Sequence, residues 1–229
     1  AIYSSFLQRA YDQIIHDVAL QHLPVVFCLD RAGLVGEDGP THHGTLDLSY
    51  LGCVPGMVLA APRSGAELLG LLESALAWRE GPFAIRYPRD QVPEEEHPVS
   101  PGPIPVGSWE ILRPLGRLNF LAVGSMVPVA LEAADLLRGD GHEAGVVNCR
   151  FVRPVDETVL GALADSGVRV VTIEENVLSG GFGSRVALWY DERPDVARPA
   201  LQSFGLPDAF IEHGSRAKLL ETCGLTGTA

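Results

Sequence analysis

Polar residues that could bind an anion or move a proton are concentrated between Asp30 and Gly44, in the string D-R-A-G-L-V-G-E-D-G-P-T-H-H-G. The string follows an apolar run from Leu23 to Leu29, which predicts a buried parallel strand. Its four glycines and one proline exclude a regular helix, so we expect a shaped loop at the carboxyl end of that strand, where parallel α/β sheets place ligands. A cation, carboxylates and two imidazoles in such a loop indicate a substrate-binding or catalytic site. The candidate side chains are Arg31, Glu37, Asp38, His42 and His43.

Simpler interpretations of this loop stay open on the residues alone. Glycine-rich polar segments after strands are often plain surface connections. The adjacent His42 and His43 suggest a metal site, but zinc takes three or four ligands and the four cysteines of the chain have no paired spacing. We therefore predict that this chain binds no metal through its own residues.

Composition and charge restrict the class of protein. The chain has 229 residues, 46% of them hydrophobic, which is enough for two apolar cores. A formal net charge of -12 argues against broad binding to nucleic acid or membranes, although a local arginine pocket for a small phosphate is compatible with it. Isolated cysteines and the lack of a signal-peptide-like or membrane-spanning apolar run favour a cytoplasmic location.

Strand-like and helix-like segments alternate along the chain, which predicts the α/β class. We expect two open, mostly parallel sheets with helices on both faces, one in residues 1–89 and one of about five strands in residues 108–229. Residues 90–107 contain five prolines and an acidic run and predict an extended linker. The predicted strands are 1–3, 23–29, 57–60, 82–87, 119–123, 145–148, 168–173 and 200–204; the predicted helices are 8–21, 64–78, 127–137, 156–164, 184–190 and one from about 215.

Two further segments bear on function. The first residues, Ala1-Ile2-Tyr3, resemble the end of a buried strand that needs neighbours on both faces, so we expect a further portion of the protein upstream. The string Ser179-Gly180-Gly181-Phe182-Gly183 precedes a predicted helix and could cradle a phosphate. It lacks both the Lys-Ser/Thr of a P-loop and the full dinucleotide spacing, so we predict a tight turn, preceded by a loop at 174–176.

Five strings, in their order and spacing, resemble the 1-deoxy-D-xylulose-5-phosphate synthase family of transketolase-like, thiamine-diphosphate-dependent transferases. They are A-I-Y-S-S-F-L-Q-R-A-Y-D-Q, D-R-A-G-L-V-G-E-D-G-P-T-H-H-G, I-R-Y-P-R, F-V-R-P-V-D and E-E-N-V-L-S-G-G-F-G-S. The resemblance covers nearly the whole chain. It implies that residues 1–89 are the C-terminal part of the thiamine pyrimidine-binding domain and residues 108–229 the transketolase C-terminal domain.

The resemblance also implies a reaction. The family condenses pyruvate with glyceraldehyde 3-phosphate, with decarboxylation, to 1-deoxy-D-xylulose 5-phosphate, a precursor of isoprenoids, thiamine and pyridoxal. Two family elements have no counterpart here: the N-terminal domain, whose Gly-Asp-Gly motif holds Mg²⁺ and the diphosphate, and the glutamate that contacts the aminopyrimidine. The expected protein is a homodimer completed by the missing N-terminal portion, and we expect this chain alone to be inactive.

Seven positions match the family's functional residues. Phe6 matches the aromatic side chain that stacks on the aminopyrimidine ring of the cofactor. Asp38 and His42 match catalytic residues beside the reacting carbons, where a carboxylate can accept a hydrogen bond from a substrate hydroxyl and an imidazole can transfer a proton. Four residues match those around the substrate phosphate, which arginine binds through paired, charge-assisted hydrogen bonds. These substrate-binding residues are Tyr3, Arg9, Arg31 and Arg89.

Some assignments stay open. Arg86 lies in the same string as Arg89 and is an alternative phosphate ligand, and His43 is assigned only to the neighbourhood of the site. The chain could instead be the β subunit of a 2-oxo acid dehydrogenase, which needs no phosphate pocket. It could also be a non-catalytic α/β module that binds a small anion or mediates assembly.

Overall fold

A computed structural model describes residues 1–92 and 102–229 and contains two five-stranded sheets. Both sheets are mostly parallel, with one antiparallel edge strand each, and helices connect the strands. This architecture confirms the predicted α/β class. Within the described residues, no helix is both long and apolar enough to cross a bilayer.

The strands and helices are numbered in chain order. The strands are β1 (Ile2–Tyr3), β2 (Val26–Asp30), β3 (Val58–Ala60), β4 (Phe83–Arg86), β5 (Glu110–Arg113), β6 (Leu118–Ala122), β7 (Gly145–Asn148), β8 (Phe151–Arg153), β9 (Arg169–Val177) and β10 (Ala200–Leu206). The helices are α1 (Ser4–Leu7), α2 (Tyr11–Gln13), α3 (Asp47–Gly52), α4 (Gly65–Ala77), α5 (Val127–Gly139), α6 (Glu157–Ala162), α7 (Phe182–Asp191) and α8 (Arg216–Thr222).

The first sheet has the strand order β1-β2-β4-β3-β8. Strands β1 to β4 are parallel, so their carboxyl ends meet at one edge. The helix predicted for residues 8–21 is irregular: α1 and α2 alternate with a 3₁₀ turn at Gln8–Ala10 and a π-helical stretch at Ile14–Ala19. Helix α4 begins where the sequence predicts, because the Ser64 hydroxyl accepts a hydrogen bond from the Glu67 amide and caps the helix.

The second sheet has the order β10-β9-β6-β7-β5. Its longest strand, β9, extends through Glu174, Glu175 and Asn176, so the loop predicted for 174–176 is wrong. Polar residues favour a loop in the sequence, but all three side chains are fully buried here. Glu175 and Asn176 accept hydrogen bonds from the distant amides of Leu34 and Leu48, and Glu174 accepts from amides at the start of α7.

The second half of the chain contributes a strand to the first sheet, and the two sheets pack on a common core. Strand β8 follows β7 in the chain but pairs antiparallel with β3, so the second half of the chain supplies the fifth strand of the first sheet. Its Phe151 is fully buried and its ring meets Phe83 of β4 edge to face, with centroids 6.2 Å apart. One apolar cluster therefore runs from Leu29 in the first sheet to Val147 in the second.

Much of the predicted linker lies outside the described residues, which resume at Gly102. Ile104 is buried, and its amide and carbonyl both bond to the Ser74 hydroxyl of α4. Gly102 and Ile104 therefore pack against α4.

Candidate active site

The candidate site lies where the carboxyl ends of β1, β2 and β4 meet. In the parallel ladders Tyr3 is opposite Asp30, and Leu29 is opposite Arg86. The segments that leave these strands begin side by side at this edge, which brings together residues distant in sequence. All seven predicted site residues belong to these segments or to the helical turn after β1.

Three rings form one aromatic group at this edge. Phe6 and Tyr3 stack with centroids 5.0 Å apart, and His42 meets Phe6 edge to face at 5.3 Å. Phe6 leaves 37% of its surface exposed although it is a large apolar side chain. An exposed phenyl ring packed against a tyrosine and an imidazole offers a surface on which a flat ligand can stack.

Guanidinium groups surround the aromatic group. The Arg31 guanidinium carbon lies 3.8 Å from the centroid of the Tyr3 ring, and that of Arg9 lies 5.7 Å from the Phe6 centroid. Arg89 reaches the same region from beyond β4, where its Nη1 is 3.2 Å from Asp38 Oδ2. Three arginines from three segments thus converge at one strand edge.

Carboxylates offset part of this positive charge. Asp38 lies between two arginines, because its Oδ2 is also 4.0 Å from Arg31 Nε. Asp30 accepts hydrogen bonds from both the backbone amide and Nη1 of Arg31, at 2.7 and 2.6 Å. Asp30 is a contributor that the sequence did not single out, although its position directly before Arg31 at a strand end was an available signal.

Arg31 also has an unusual backbone conformation. Its φ of 58° lies in the left-handed region, which residues other than glycine rarely adopt. Such strain persists only where the surroundings impose it, and it is common at ligand-binding sites. Both hydrogen bonds to Asp30 hold Arg31 in this conformation.

The loop after Arg31 is held by backbone pairing and by one imidazole. Gly33 and Gly44 exchange two backbone hydrogen bonds of 2.7 and 2.8 Å, which close the loop. His43 Nδ1 accepts a hydrogen bond from the Val35 amide, and Nε2 lies 3.4 Å from the Glu212 carbonyl. His43 is buried and has a structural role in the loop, whereas the neighbouring His42 faces the aromatic group.

Arg86 is buried and does not belong with Arg9, Arg31 and Arg89 at the strand edge. It is 3% exposed, pairs with Asp47 at 3.0 Å, and donates from Nη2 to the carbonyls of Gly44 and Glu175. With these partners Arg86 links the two sheets. The exposed Arg89 is the arginine of this string that remains accessible to a ligand.

The glycine-rich turn before α7 already holds an anion from its own chain. Glu174 accepts hydrogen bonds from the amides of Phe182 and Gly183, at 2.7 and 2.8 Å, at the start of this helix. A Cβ on Gly181 would overlap the Glu174 carboxylate. An internal carboxylate thus occupies the place a bound phosphate would take. Burial raises the pKa of Glu174 to about 7.

Within residues 1–92 and 102–229, no group of three or more His, Cys, Asp or Glu side chains is arranged to hold a metal ion.

Comparison with known proteins identifies the family of both halves of the chain. Residues 1–95 match the transketolase pyrimidine binding domain, and residues 107–229 match the transketolase C-terminal domain. Among curated relatives, 1-deoxy-D-xylulose-5-phosphate synthase of Pelotomaculum thermopropionicum is 50% identical over 99% of this chain. The enzyme of the same name from Synechococcus sp. strain JA-2-3B'a(2-13) is 49% identical over 98% of it. The chain spans only 35% of the length of either relative.

Solved structures agree with this assignment. A split-gene transketolase, described as an inactive beta4 tetramer, superimposes with a TM-score of 0.85 at 30% identity, over 99% of this chain and 71% of its own. Transketolase of Pichia stipitis in complex with sedoheptulose 7-phosphate has the same fold, with a TM-score of 0.76 at 22% identity, over 99% of this chain and 32% of its own. The chain therefore belongs to the transketolase family, and its resemblance to the 1-deoxy-D-xylulose-5-phosphate synthases is confirmed.

Proposed function

We propose that this chain is part of a 1-deoxy-D-xylulose-5-phosphate synthase that condenses pyruvate with glyceraldehyde 3-phosphate, with loss of carbon dioxide. The observation that carries the proposal is the convergence of an exposed aromatic group, three arginines, Asp38 and His42 at the carboxyl edge of the first sheet. An aldehyde that carries a phosphate needs this combination of cationic and hydrogen-bonding groups. A 2-oxo acid dehydrogenase subunit would have no use for the arginines.

The aromatic group fits the aminopyrimidine of thiamine diphosphate, because the exposed ring of Phe6 is backed by Tyr3 and flanked by His42. When bound, thiamine diphosphate supplies the electron sink for decarboxylation of pyruvate. Mg²⁺ and the diphosphate are assigned to a portion outside this chain. Residues 1–89 would then form the C-terminal part of the pyrimidine-binding domain, residues 90–107 a linker and residues 108–229 the C-terminal domain.

The arginines are assigned to the phosphate of the aldehyde. The guanidinium groups of Arg31, Arg89 and Arg9 come from three separate segments and can donate to phosphate oxygens from three sides. Within the described residues Arg31 Nε makes no hydrogen bond and lies 4.0 Å from Asp38 Oδ2. Tyr3, whose ring lies under Arg31, fixes the orientation of that guanidinium.

Asp38 and His42 are assigned to the aldehyde carbon and its hydroxyl groups. Asp38 lies between Arg31 and Arg89, which holds its carboxylate where a hydroxyl next to the phosphate-bearing carbon can donate to it. In His42 one ring nitrogen, Nδ1, lies 2.9 Å from the Thr41 hydroxyl. Nε2 is therefore the nitrogen that would deliver a proton to the carbonyl oxygen as the new carbon-carbon bond forms.

The complete enzyme is proposed to be a cytoplasmic homodimer in which this chain acts together with the upstream portion. The test is release of carbon dioxide from carboxyl-labelled pyruvate in the presence of thiamine diphosphate and Mg²⁺. It compares this chain alone with the chain joined to, or mixed with, the upstream portion. Each sample is assayed without acceptor, with glyceraldehyde 3-phosphate and with unphosphorylated glyceraldehyde.

We expect carbon dioxide to be released only when the upstream portion is present. Glyceraldehyde 3-phosphate should stimulate this release far more than unphosphorylated glyceraldehyde does. Equal stimulation by both aldehydes would contradict the phosphate assignment and favour a 2-oxo acid dehydrogenase subunit. Activity of this chain alone would mean that the cofactor site is misplaced. No activity in a folded mixture would favour a non-catalytic anion-binding or assembly module.

A further inference from the structure

A single carboxylate of the second sheet supports the loop of the candidate site. Glu175 on β9 is fully buried, and its Oε1 accepts a hydrogen bond of 2.8 Å from the amide of Leu34, which is three residues after Arg31. Its Oε2 accepts hydrogen bonds of 2.6 Å from the Ser125 hydroxyl and from Arg216 Nη2. A buried carboxylate with three donors from three separate segments has one favourable position, because any displacement would break at least one of these hydrogen bonds away from water.

The loop backbone lies directly against this carboxylate. Gly33 has a φ of +75°, and a Cβ at this position would overlap the carboxyl group of Glu175. Only a glycine allows the chain to pass so close. The position of Glu175 therefore determines the path of the backbone that begins at Arg31.

Arg216 connects Glu175 to the segment after β4 that carries Arg89. Its Nη1 donates to Asp90 Oδ2 at 2.6 Å, while its Nη2 binds Glu175. The segment before α8 also contacts the same loop, because the Gly214 amide lies 3.3 Å from the Gly36 carbonyl. Arg216 thus bridges Glu175, which holds the loop after Arg31, and Asp90, the residue next to Arg89.

We infer that Glu175 and Arg216 are positioning residues that set the spacing between Arg31 and Arg89, and thereby the selectivity for a phosphorylated acceptor. The inference rests on the proposed function, in which these two arginines bind the phosphate. Neither Glu175 nor Arg216 is assigned a contact with substrate. Their effect is transmitted through the Leu34 amide on one side and Asp90 on the other.

The physical basis is the sensitivity of paired hydrogen bonds to distance. A phosphate that bridges two guanidinium groups needs both within hydrogen-bonding range at once, so a shift of about 1 Å in either segment removes one partner. Pyruvate carries no phosphate and would not be affected by that spacing. A loss of positioning should therefore raise KM for the aldehyde and leave KM for pyruvate unchanged.

The experiment uses the complete enzyme with Glu175→Gln, with Arg216→Met and with Arg113→Met as matched control. The Leu34 amide and Arg216 donate to different oxygens of Glu175, so a glutamine at this position would turn its NH2 group towards one of these donors. Arg113 is also a partly buried arginine of the second sheet, but its partner is Asp135, 2.7 Å away on α5. For each protein we would measure KM and kcat for both substrates, the thermal midpoint, and hydrogen exchange of the peptide that contains Leu34.

The expected result for both site variants is a KM for glyceraldehyde 3-phosphate raised about tenfold or more, a KM for pyruvate within about twofold of wild type, and faster exchange around Leu34. The Arg113→Met control should match wild type in both KM values and in the rate of exchange around Leu34. Parallel changes in both KM values, or no change in either, would overturn the inference. A variant that does not fold is replaced by Gly33→Ala, which displaces the same carboxylate.

Failure of the inference can be told apart from failure of the proposed function. If wild type itself forms no product from the two substrates, the proposed function fails. Hydrogen exchange and the thermal midpoint then remain as measurements of loop positioning. Unchanged exchange around Leu34 in both folded variants would overturn the positioning role whatever the reaction is.

Discussion

Arg31 combines a strained backbone with contacts to three neighbours. Its left-handed conformation is held by Asp30, and its side chain lies over Tyr3 and within reach of Asp38. A glycine would adopt this conformation without strain, whereas any other residue retains the cost of about 1 to 2 kcal/mol. An arginine at a position whose conformation favours glycine is consistent with a role for the side chain in binding.

We predict that Arg31→Gly is more stable than Arg31→Ala by about 1 kcal/mol, because both lose the side chain but only glycine relieves the strain. Urea unfolding of the two variants measures this difference. Both variants of the complete enzyme should use the phosphorylated aldehyde poorly. Equal stability of the two variants would show that the backbone at this position is not strained.

Arg89→Ala should weaken use of glyceraldehyde 3-phosphate much more than use of pyruvate, by about tenfold or more in kcat/KM, because one charge-assisted partner of the phosphate is lost. Steady-state kinetics on the complete enzyme measures both substrates. Arg138→Ala is the matched control, since that side chain is 50% exposed against 57% for Arg89 and pairs with Asp135 on α5. Equal effects on both substrates would contradict the phosphate assignment.

The sequence alone could not predict the role of every residue in the site. The string I-R-Y-P-R contains two arginines, and only the structure shows that Arg86 is buried against Asp47 while Arg89 is exposed beyond the proline. The buried role of His43 depends on the Glu212 carbonyl, 169 residues away. Local patterns carry no information on such distant partners.

At the scale of an element, the free backbone amides at the start of α7 donate to the Glu174 carboxyl group instead of to a ligand. Burial raises the pKa of this carboxyl from its ordinary value of 4.5 to about 7. Between these pH values the folded protein keeps the proton while the unfolded chain has lost it. Folding therefore takes up a proton in this window, and the contribution of Glu174 to stability decreases as the pH rises from 4.5 to about 7.

We predict that Glu174→Gln loses this pH dependence, since its side chain does not titrate. The free energy of unfolding of wild type should fall, relative to the variant, by at most about 1.4 kcal/mol per pH unit in this window. Urea unfolding at pH values from 4.5 to 7 measures both proteins. Glu73→Gln, at an exposed carboxyl on α4, should keep the wild-type slope. Parallel slopes for Glu174→Gln and wild type would refute the raised pKa.

Elements with local signals were predicted from the sequence, and elements without them were not. Strand β7 and the start of α4 agree with prediction, because an apolar run and a Ser64 cap specify them locally. Strand β8 was missed, since it has only three residues, lies directly before a proline and pairs with the distant β3. The polar end of β9 was missed because its hydrogen-bond partners lie far away in the sequence, in the loop after β2 and in α3.

For the whole molecule, strand β8 and a continuous apolar core connect the two halves of the chain. Strand β8 completes the first sheet, and the apolar cluster around Phe151 is continuous across both sheets. The domain division suggested by the sequence therefore does not coincide with the division between sheets.

We predict that Phe151→Ala destabilises both halves together, by about 3 to 5 kcal/mol, because it removes a fully buried ring that packs on Phe83. Hydrogen exchange of amides in β4 and β9 should report the same loss of unfolding free energy. Phe210→Ala is the control, since this ring is 88% exposed and its removal should cost less than about 0.5 kcal/mol. Loss confined to β4 amides would mean that the halves unfold independently.

The pairing of β8 with β3 also limits how such proteins can be recombined. A chimaera joined between β4 and β5 would keep β3 from one parent and take β8 from the other, so their antiparallel ladder would be formed by sequences that never folded together. It would likewise set Gly33 of one parent against Glu175 of the other. A functional graft of the second half would therefore have to include matched residues on both sides of each contact, wherever the junction in the gene is placed.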